Sequence, residues 1–375
     1  MHDRLPGGLA AGEFLRRYWQ KKPLLVRGAM RDLGRWPGKR GLFALAQRSD
    51  VESRLVARIA GRWTVRHGPI PRAILARQPR RDWTLLVNGV NLHCAAAERL
   101  LRRFAFVPQA RLDDVMVSFA APGGGVGAHA DGYDVFLLQG AGRRVWRLEP
   151  ARRFATVPGA PLRLIADFRP QEELLLEPGD LLYLPPGWGH EGVALDESWT
   201  YSIGFRAPRR AELAAAFLDY LHERGFDERE YRDPGLRPAT RPARIDAAML
   251  RFAGDAMRRI RWSRRDVESF LGRYLTSPKQ HVVFRAPRHA RSRRAFLSGL
   301  ARGIAVLDAR TQLLYLGARF FLNGEALSPR ASQRDLLARL ADRRRLRGRA
   351  LARAGLGDLL YDWYRDGSLN LESET

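Results

Sequence analysis

The sequence predicts a mixed fold, mainly β plus α. A β-rich sandwich or barrel occupies the centre, a helical segment follows, and a small winged-helix-like module closes the chain. Three observations carry this. Between residues 112 and 206 short β-rich runs recur (VMVSFA, YDVFLLQG, RRVWRL, ELLLEPGDLLYLPPG, SWTYSIGFR), punctuated by Gly and Pro. After Pro208 the texture switches to RRAELAAAFLDYLHERG, with apolar Leu213, Phe217 and Leu221 at helical spacing. The last stretch of about 95 residues mixes helices with a hairpin signal at Asn323-Gly324.

Taken in order, residues 11–30 predict a short helix, a Lys-Lys-Pro break and an apolar strand. Residues 84–104, with small and apolar residues around Cys94, predict a helix. The β-rich centre follows. RDPGLRPATRPARID (232–246) predicts a linker, and helices continue to about 276. A helix near 291–302 leads into the hairpin, and two more helices finish the chain. The expected division is 1–207 for the first domain, with its β core from about 98, then 208–276 helical and 277–375 winged-helix-like.

Composition narrows the function. At 375 residues, 45% of them hydrophobic, the chain has material for two or three packed domains. One cysteine, Cys94, excludes a disulfide framework or a cysteine-built zinc site and points to a reducing compartment. No apolar run is long enough to span a membrane. The start, MHDRLPGGLA, lacks the apolar core of a secretory signal, so a cytoplasmic protein is expected. The net charge is +25, yet only Lys21, Lys22, Lys39 and Lys279 among 65 basic residues are lysines. Residues 101–207 carry 11 basic and 13 acidic residues, a slightly acidic centre between two basic flanks. Those flanks fit either solvated arginine faces or contact with RNA or a ribonucleoprotein.

The chemistry concentrates in PGGGVGAHADGYDVFLLQG. His129 and Asp131 stand two residues apart at the expected start of a strand, so their side chains share a face. His190 lies 61 residues after His129, at the end of LEPGDLLYLPPGWGH, where a Pro-Pro-Gly turn can aim it back at the pair. A His-x-acid match alone arises by chance roughly once in a chain of this composition. The glycine loop, the strand and the later histidine supply the specificity. Two histidines and one carboxylate form a facial triad that holds Fe(II) and leaves positions open. The glycine run lacks the Gly-Lys-Ser/Thr of a phosphate loop.

Strand alternation sorts the remaining candidates. In RRVWRL, Arg144 shares a face with Trp146 and Leu148, whereas Arg143 goes with Arg147, so Arg144 is the expected inward cation for a dicarboxylate co-substrate. Asp114, Met116 and Ser118 share one face of their strand, and Thr200 and Ser202 share one face of theirs. Tyr133 continues the face of His129 and Asp131.

FLRRYWQKKPLLVRGA, VESRLVARIAGRWTVRHGPI, RLDDVMVSFAAPGGGVGAHADGYDVFLLQGAGRRVWRL, EPGDLLYLPPGWGHEG and YSIGFRAP together resemble the bacterial cupin-like Jumonji-C (JmjC) ribosomal oxygenases. The resemblance runs in order along nearly the whole chain and weakens in the C-terminal third. It implies a double-stranded β-helix of the cupin or jelly-roll type, a helical dimerisation region and a C-terminal winged helix. It further implies Fe(II), with 2-oxoglutarate and O2 as co-substrates, and hydroxylation of an arginine on large-subunit ribosomal protein sixteen. Carried over by position, it makes His129, Asp131 and His190 the metal ligands. Arg144 and Ser118 become co-substrate residues, and Asp114, Tyr133 and Ser202 substrate residues. Two rivals stay open on the residues alone. A cupin metalloenzyme without 2-oxoglutarate would not need Arg144. A non-catalytic RNA- or ribosome-binding protein would not need the triad.

Overall fold

The computed structural model describes residues 4–31, 33 and 36–373. The first elements are α1 (Ala11–Arg17), β1 (Leu24–Val26), α2 (Gly38–Ala46), β2 (Ser53–Ile59), β3 (Arg62–His67), α3 (Arg72–Ala76), β4 (Trp83–Val87) and α4 (Ala95–Arg102). The β-rich centre comprises β5 (Leu112–Ala120), β6 (His129–Ala130), β7 (Val135–Ala141), β8 (Arg144–Glu149), β9 (Glu172–Leu176), β10 (Leu181–Leu184), β11 (Gly189–Ala194) and β12 (Ser198–Phe205). Next come α5 (Arg210–Glu223), α6 (Ala247–Arg259), α7 (Arg264–Thr276), α8 (Arg293–Arg302), β13 (Gly303–Leu307), β14 (Leu313–Leu316), β15 (Arg319–Leu322) and β16 (Glu325–Leu327). The chain ends with α9 (Ala331–Arg343), β17 (Arg345–Arg347), α10 (Gly348–Arg353), α11 (Gly357–Arg365) and β18 (Leu369–Ser373).

These elements form two compact units interleaved in sequence. One holds residues 1–207, 278–311 and 342–375, the other residues 208–277 and 312–341. The first is built on an eight-stranded sheet, β1-β10-β7-β12-β5-β4-β2-β3, and a four-stranded sheet, β6-β11-β8-β9. Val135, Leu137, Leu182 and Leu184 of the large sheet join Trp146, Leu148 and Leu176 of the small one in a single apolar cluster, so the two sheets face each other as a double-stranded β-helix.

Strand β12 shows how the sequence builds this. Trp199, Tyr201, Ile203 and Phe205 alternate onto the outer face, where they pack with Phe14, Leu42, Leu45 and Leu100 of the surrounding helices. Each such buried side chain contributes roughly 1.5–3 kcal/mol. The opposite face presents Ser198, Thr200 and Ser202 to the interior between the sheets. Polar groups there need partners, and that is where the site lies.

Two expectations are corrected and one holds. Residues 83–87 form a strand of the large sheet, not the start of a helix; WTLLV is apolar throughout because both of its faces are buried, and periodicity does not separate such a strand from a buried helix. The helix of that region is confined to Ala95–Arg102. After Ala331 there are three helices and two short strands rather than two helices, since β17 and β18 flank β13 in their own sheet. The Asn323-Gly324 hairpin forms with both residues at positive φ, 49° and 93°.

The second unit packs α7 against β14 and β15, where a Cβ on Gly272 would lie 2.3 Å from the Phe321 ring. A capping box between Ser263 and Asp266 starts α7. Phe217 of α5 meets Phe270 of α7 at 5.2 Å between ring centroids. Helix α6 buries none of its residues, and Leu250 and Met257 are 69% and 66% exposed.

Candidate active site

The glycine run 123–125 lies along the end of β11. Gly123 N–H donates to the Ala194 carbonyl at 2.7 Å, and Ala194 N–H donates to the Gly124 carbonyl at 2.9 Å. A Cβ on Gly125 would sit 2.5 Å from the Gly192 carbonyl oxygen, so only glycine lets the two backbones approach this closely. The loop then enters β6, whose two residues pair with β11 and place His129 opposite His190. Asp131 falls just beyond β6, and the Gly187 N–H in the Pro-Pro-Gly turn donates to its carbonyl at 2.7 Å. Strand alternation is thus supplied by a two-residue bridge, with the turn fixing the third ligand.

The ligand atoms of His129, Asp131 and His190 all lie within 4.8 Å of one another. Each histidine uses Nδ1 at 3.0 Å from a backbone carbonyl, Gly127 for His129 and Trp188 for His190. Both Nε2 atoms are thereby left to face the carboxylate, with His190 Nε2 3.7 Å from Asp131 Oδ2. Burial, and next the neighbouring His129 ring, push His190 down to about 4, so at neutral pH it is an uncharged imidazole able to coordinate. Two imidazoles and one carboxylate on one side suit Fe(II) with coordination positions open.

Arg144 lies on β8 with Trp146 and Leu148, all facing inward, and Leu148 pairs with His190. Four residues of strand put the Arg144 backbone about 13 Å from the metal ligands. The guanidinium is 4% exposed. It donates to Ser198 Oγ at 3.2 Å, its Nε has no partner, and it makes no ion pair among the described residues. Burial lowers it to about 10. Trp146 Nε1 and Thr84 Oγ1 are likewise buried without a partner. A buried cation without a counter-ion, lying over the Trp146 ring with its own Nε unpaired, calls for an anion. Arg143, by contrast, is exposed and bridged to Asp196 at 3.0 Å.

Ser118 is buried in register with Leu86 and Thr200, and Thr200 donates to Gln139 Oε1 at 3.1 Å. Ser202 is buried between Met116 and Leu137. Asp114, at the outer end of β5, accepts from Gly89 N–H at 2.7 Å. Burial, then the adjacent Asp113, raise its carboxyl to about 6. Tyr133 is 42% exposed, and burial of its hydroxyl region, followed by Asp131 and Asp114, raises its phenol. Next to it the fully buried Asp134 accepts from Tyr183 Oη at 2.6 Å, Gln20 Nε2 at 2.9 Å and Arg111 Nη2 at 3.2 Å. That network anchors the turn carrying Tyr133.

A JmjC domain profile matches residues 99–213, and a ROXA-like winged-helix profile matches residues 259–370. The ribosomal protein uL16 3-hydroxylase of Escherichia coli K12 is 34% identical over 329 residues, 87% of this chain and 88% of that one. The chain belongs to the JmjC ribosomal oxygenases. Solved structures agree with this. E. coli ycfD superposes with a TM-score of 0.83 at 31% identity, over 96% of this chain and 98% of that one. The same ribosomal oxygenase in complex with cobalt and 2-oxoglutarate gives 0.80 at 31% identity, over 96% and 98%. No helix among the described residues is long and apolar enough to cross a membrane.

Within this ribosomal oxygenase, some site residues escape sequence reasoning. Ser198, the partner of Arg144, was one step of alternation away from Thr200 and Ser202. Gln139 and Thr84 had no signal, because their roles depend on which strands become neighbours. Gly89 and Asn91, which hold β5 by hydrogen bonds to Asp114 and to Val115 N–H, lie in a tight turn with no distinctive sequence mark.

Proposed function

We propose that this chain is an Fe(II)- and 2-oxoglutarate-dependent oxygenase that hydroxylates an arginine side chain of ribosomal protein uL16, the large-subunit protein sixteen for which its E. coli relative is named. The observation that carries the co-substrate is the buried Arg144 guanidinium with no counter-ion, set behind the triad. When bound, the metal supplies oxygen activation coupled to decarboxylation of 2-oxoglutarate to succinate. The residues do the rest. His129, Asp131 and His190 hold the metal through atoms that their backbone partners keep free. Arg144 and Ser118 receive the distal carboxylate and orient the co-substrate. Asp114, Tyr133 and Ser202 take the substrate arginine, by charge-assisted hydrogen bonds, ring contact and a hydroxyl respectively.

A cytoplasmic site of action follows from a ribosomal substrate. Homodimerisation through residues 208–276 is supported by the exposed apolar side chains of α6. The net charge of +25 favours a contact of the basic flanks with ribosomal RNA if the substrate is already assembled. The test is turnover with a uL16 peptide. Succinate should form in step with peptide hydroxylation, and replacing the target arginine with lysine should abolish the coupled product. Equal hydroxylation of the lysine peptide would refute the arginine pocket.

A further inference from the structure

Asp113 and Asp114 sit side by side at the start of β5, and alternation sends them to opposite faces. Asp114 Oδ2 is taken by the Gly89 amide. A Cβ on Gly204 would lie 3.5 Å from its Oδ1, so that oxygen looks across a glycine rather than at a donor. No basic side chain among the described residues forms an ion pair with Asp114. The charged groups around it are largely of its own sign: Asp113 on β5 and Glu52 just before β2, with the Tyr133 phenol facing it from the turn after β6. Two cations offset them. Arg206, just after β12, reaches Asp113 Oδ1 at 3.4 Å, and Lys279 Nζ reaches the same oxygen at 2.7 Å.

Lys279 comes from far along the chain. It lies in a segment without regular structure that leads into α8, and Arg285 of that segment holds Asp50 at 3.1 Å. It is also one of four lysines in a chain that otherwise uses arginine. A lysine is a compact point charge that can neutralise one carboxylate without forking across to a second. An arginine there would set a larger, forked guanidinium beside Asp113, close to where the substrate guanidinium has to sit.

We propose that Lys279 is a positioning residue of the substrate pocket: by pairing with Asp113 it keeps Asp114 charged and free to receive a cationic side chain. This rests on the reading of Asp114 as the substrate carboxylate. The segment that leads into α8 is then part of the pocket's electrostatics, although it supplies neither a metal ligand nor a co-substrate residue.

The test is the pH dependence of kcat/KM for the peptide, which reports ionisation in the free enzyme, together with peptide affinity by fluorescence anisotropy. Wild-type enzyme should lose both as pH falls through about 6, where Asp114 takes up its proton. In Lys279→Met the acid limb should move up by roughly one unit, because an attractive charge has been removed. Peptide kcat/KM near neutral pH then falls several-fold, and the two profiles converge in alkali. Lys279→Arg should return the limb to its wild-type position but weaken peptide binding at every pH. A Lys279→Met loss that is uniform across pH, or an unmoved limb, overturns the proposal. Asp114→Asn separates the two readings. If it abolishes peptide binding at all pH while Lys279→Met moves nothing, the pocket stands and the role of Lys279 fails. If it binds peptide normally, the pocket itself is wrong.

Discussion

Replacing Arg144 with methionine should move stability and co-substrate use in opposite directions. The guanidinium is 4% exposed, has no counter-ion and leaves Nε unpaired. Burial lowers it from the ordinary arginine value to about 10. At about 1.4 kcal/mol per pKa unit, the unpaired cation costs the empty protein about 3 kcal/mol. Methionine keeps an apolar stem against Trp146 and removes the charge, at the cost of the Ser198 hydrogen bond, worth about 1 kcal/mol. The empty variant should therefore be about 2 kcal/mol more stable, seen as a higher thermal midpoint. The same change removes a charge-assisted contact to the co-substrate worth about 1.5–3 kcal/mol, so KM for 2-oxoglutarate should rise roughly ten- to hundredfold. Added 2-oxoglutarate should also stop raising the midpoint. Arg143→Ala, which breaks only an exposed pair, should change neither by more than about twofold. A destabilised Arg144→Met with unchanged KM would show that the guanidinium is structural and the anion site imaginary.

His129→Ala or Asp131→Ala should abolish 2-oxoglutarate turnover and weaken Fe(II) binding in titration, while far-ultraviolet circular dichroism stays that of the wild type; full turnover in either would remove the metal assignment. Asp114→Ala should lose peptide hydroxylation yet retain slow uncoupled succinate formation, because the triad and Arg144 are untouched. Asp114 also has a signed effect on the fold. Its folded-state pKa of about 6 lies above the ordinary carboxylate value, so its favourable contribution is complete below the unfolded value and lost as pH rises through about 6. Asp114→Asn should accordingly raise the thermal midpoint at pH above about 7 and lose that advantage near pH 4. Light scattering should give about twice the chain mass of 42.5 kDa, and Leu250→Glu with Met257→Glu should shift it to the monomer.

Much of the site was legible because its logic is local. The His129–Asp131 spacing and the Pro-Pro-Gly turn before His190 are short-range features, and the inward parity of Arg144 follows from the alternation of one strand. The β-rich centre was equally legible from its run lengths and its Gly and Pro breaks. What was hidden depends on tertiary neighbours. The strand at Trp83–Val87 looked helical because its burial on both faces erased the two-residue period. Gln139 meets Thr200 only because β7 pairs with β12. Lys279 meets Asp113 across 166 positions of sequence, a separation that no local pattern encodes. The fold of the last third was harder still, since β13, β17 and β18 are three short strands brought together from distant positions.

The central claim is tested most directly by tandem mass spectrometry of uL16 from cells that carry this enzyme and from cells in which Asp131→Ala replaces it. The account predicts one added oxygen atom on a single arginine side chain in the first sample and none in the second. An unmodified uL16 in both, or an added oxygen that persists with the Asp131 variant, would contradict it.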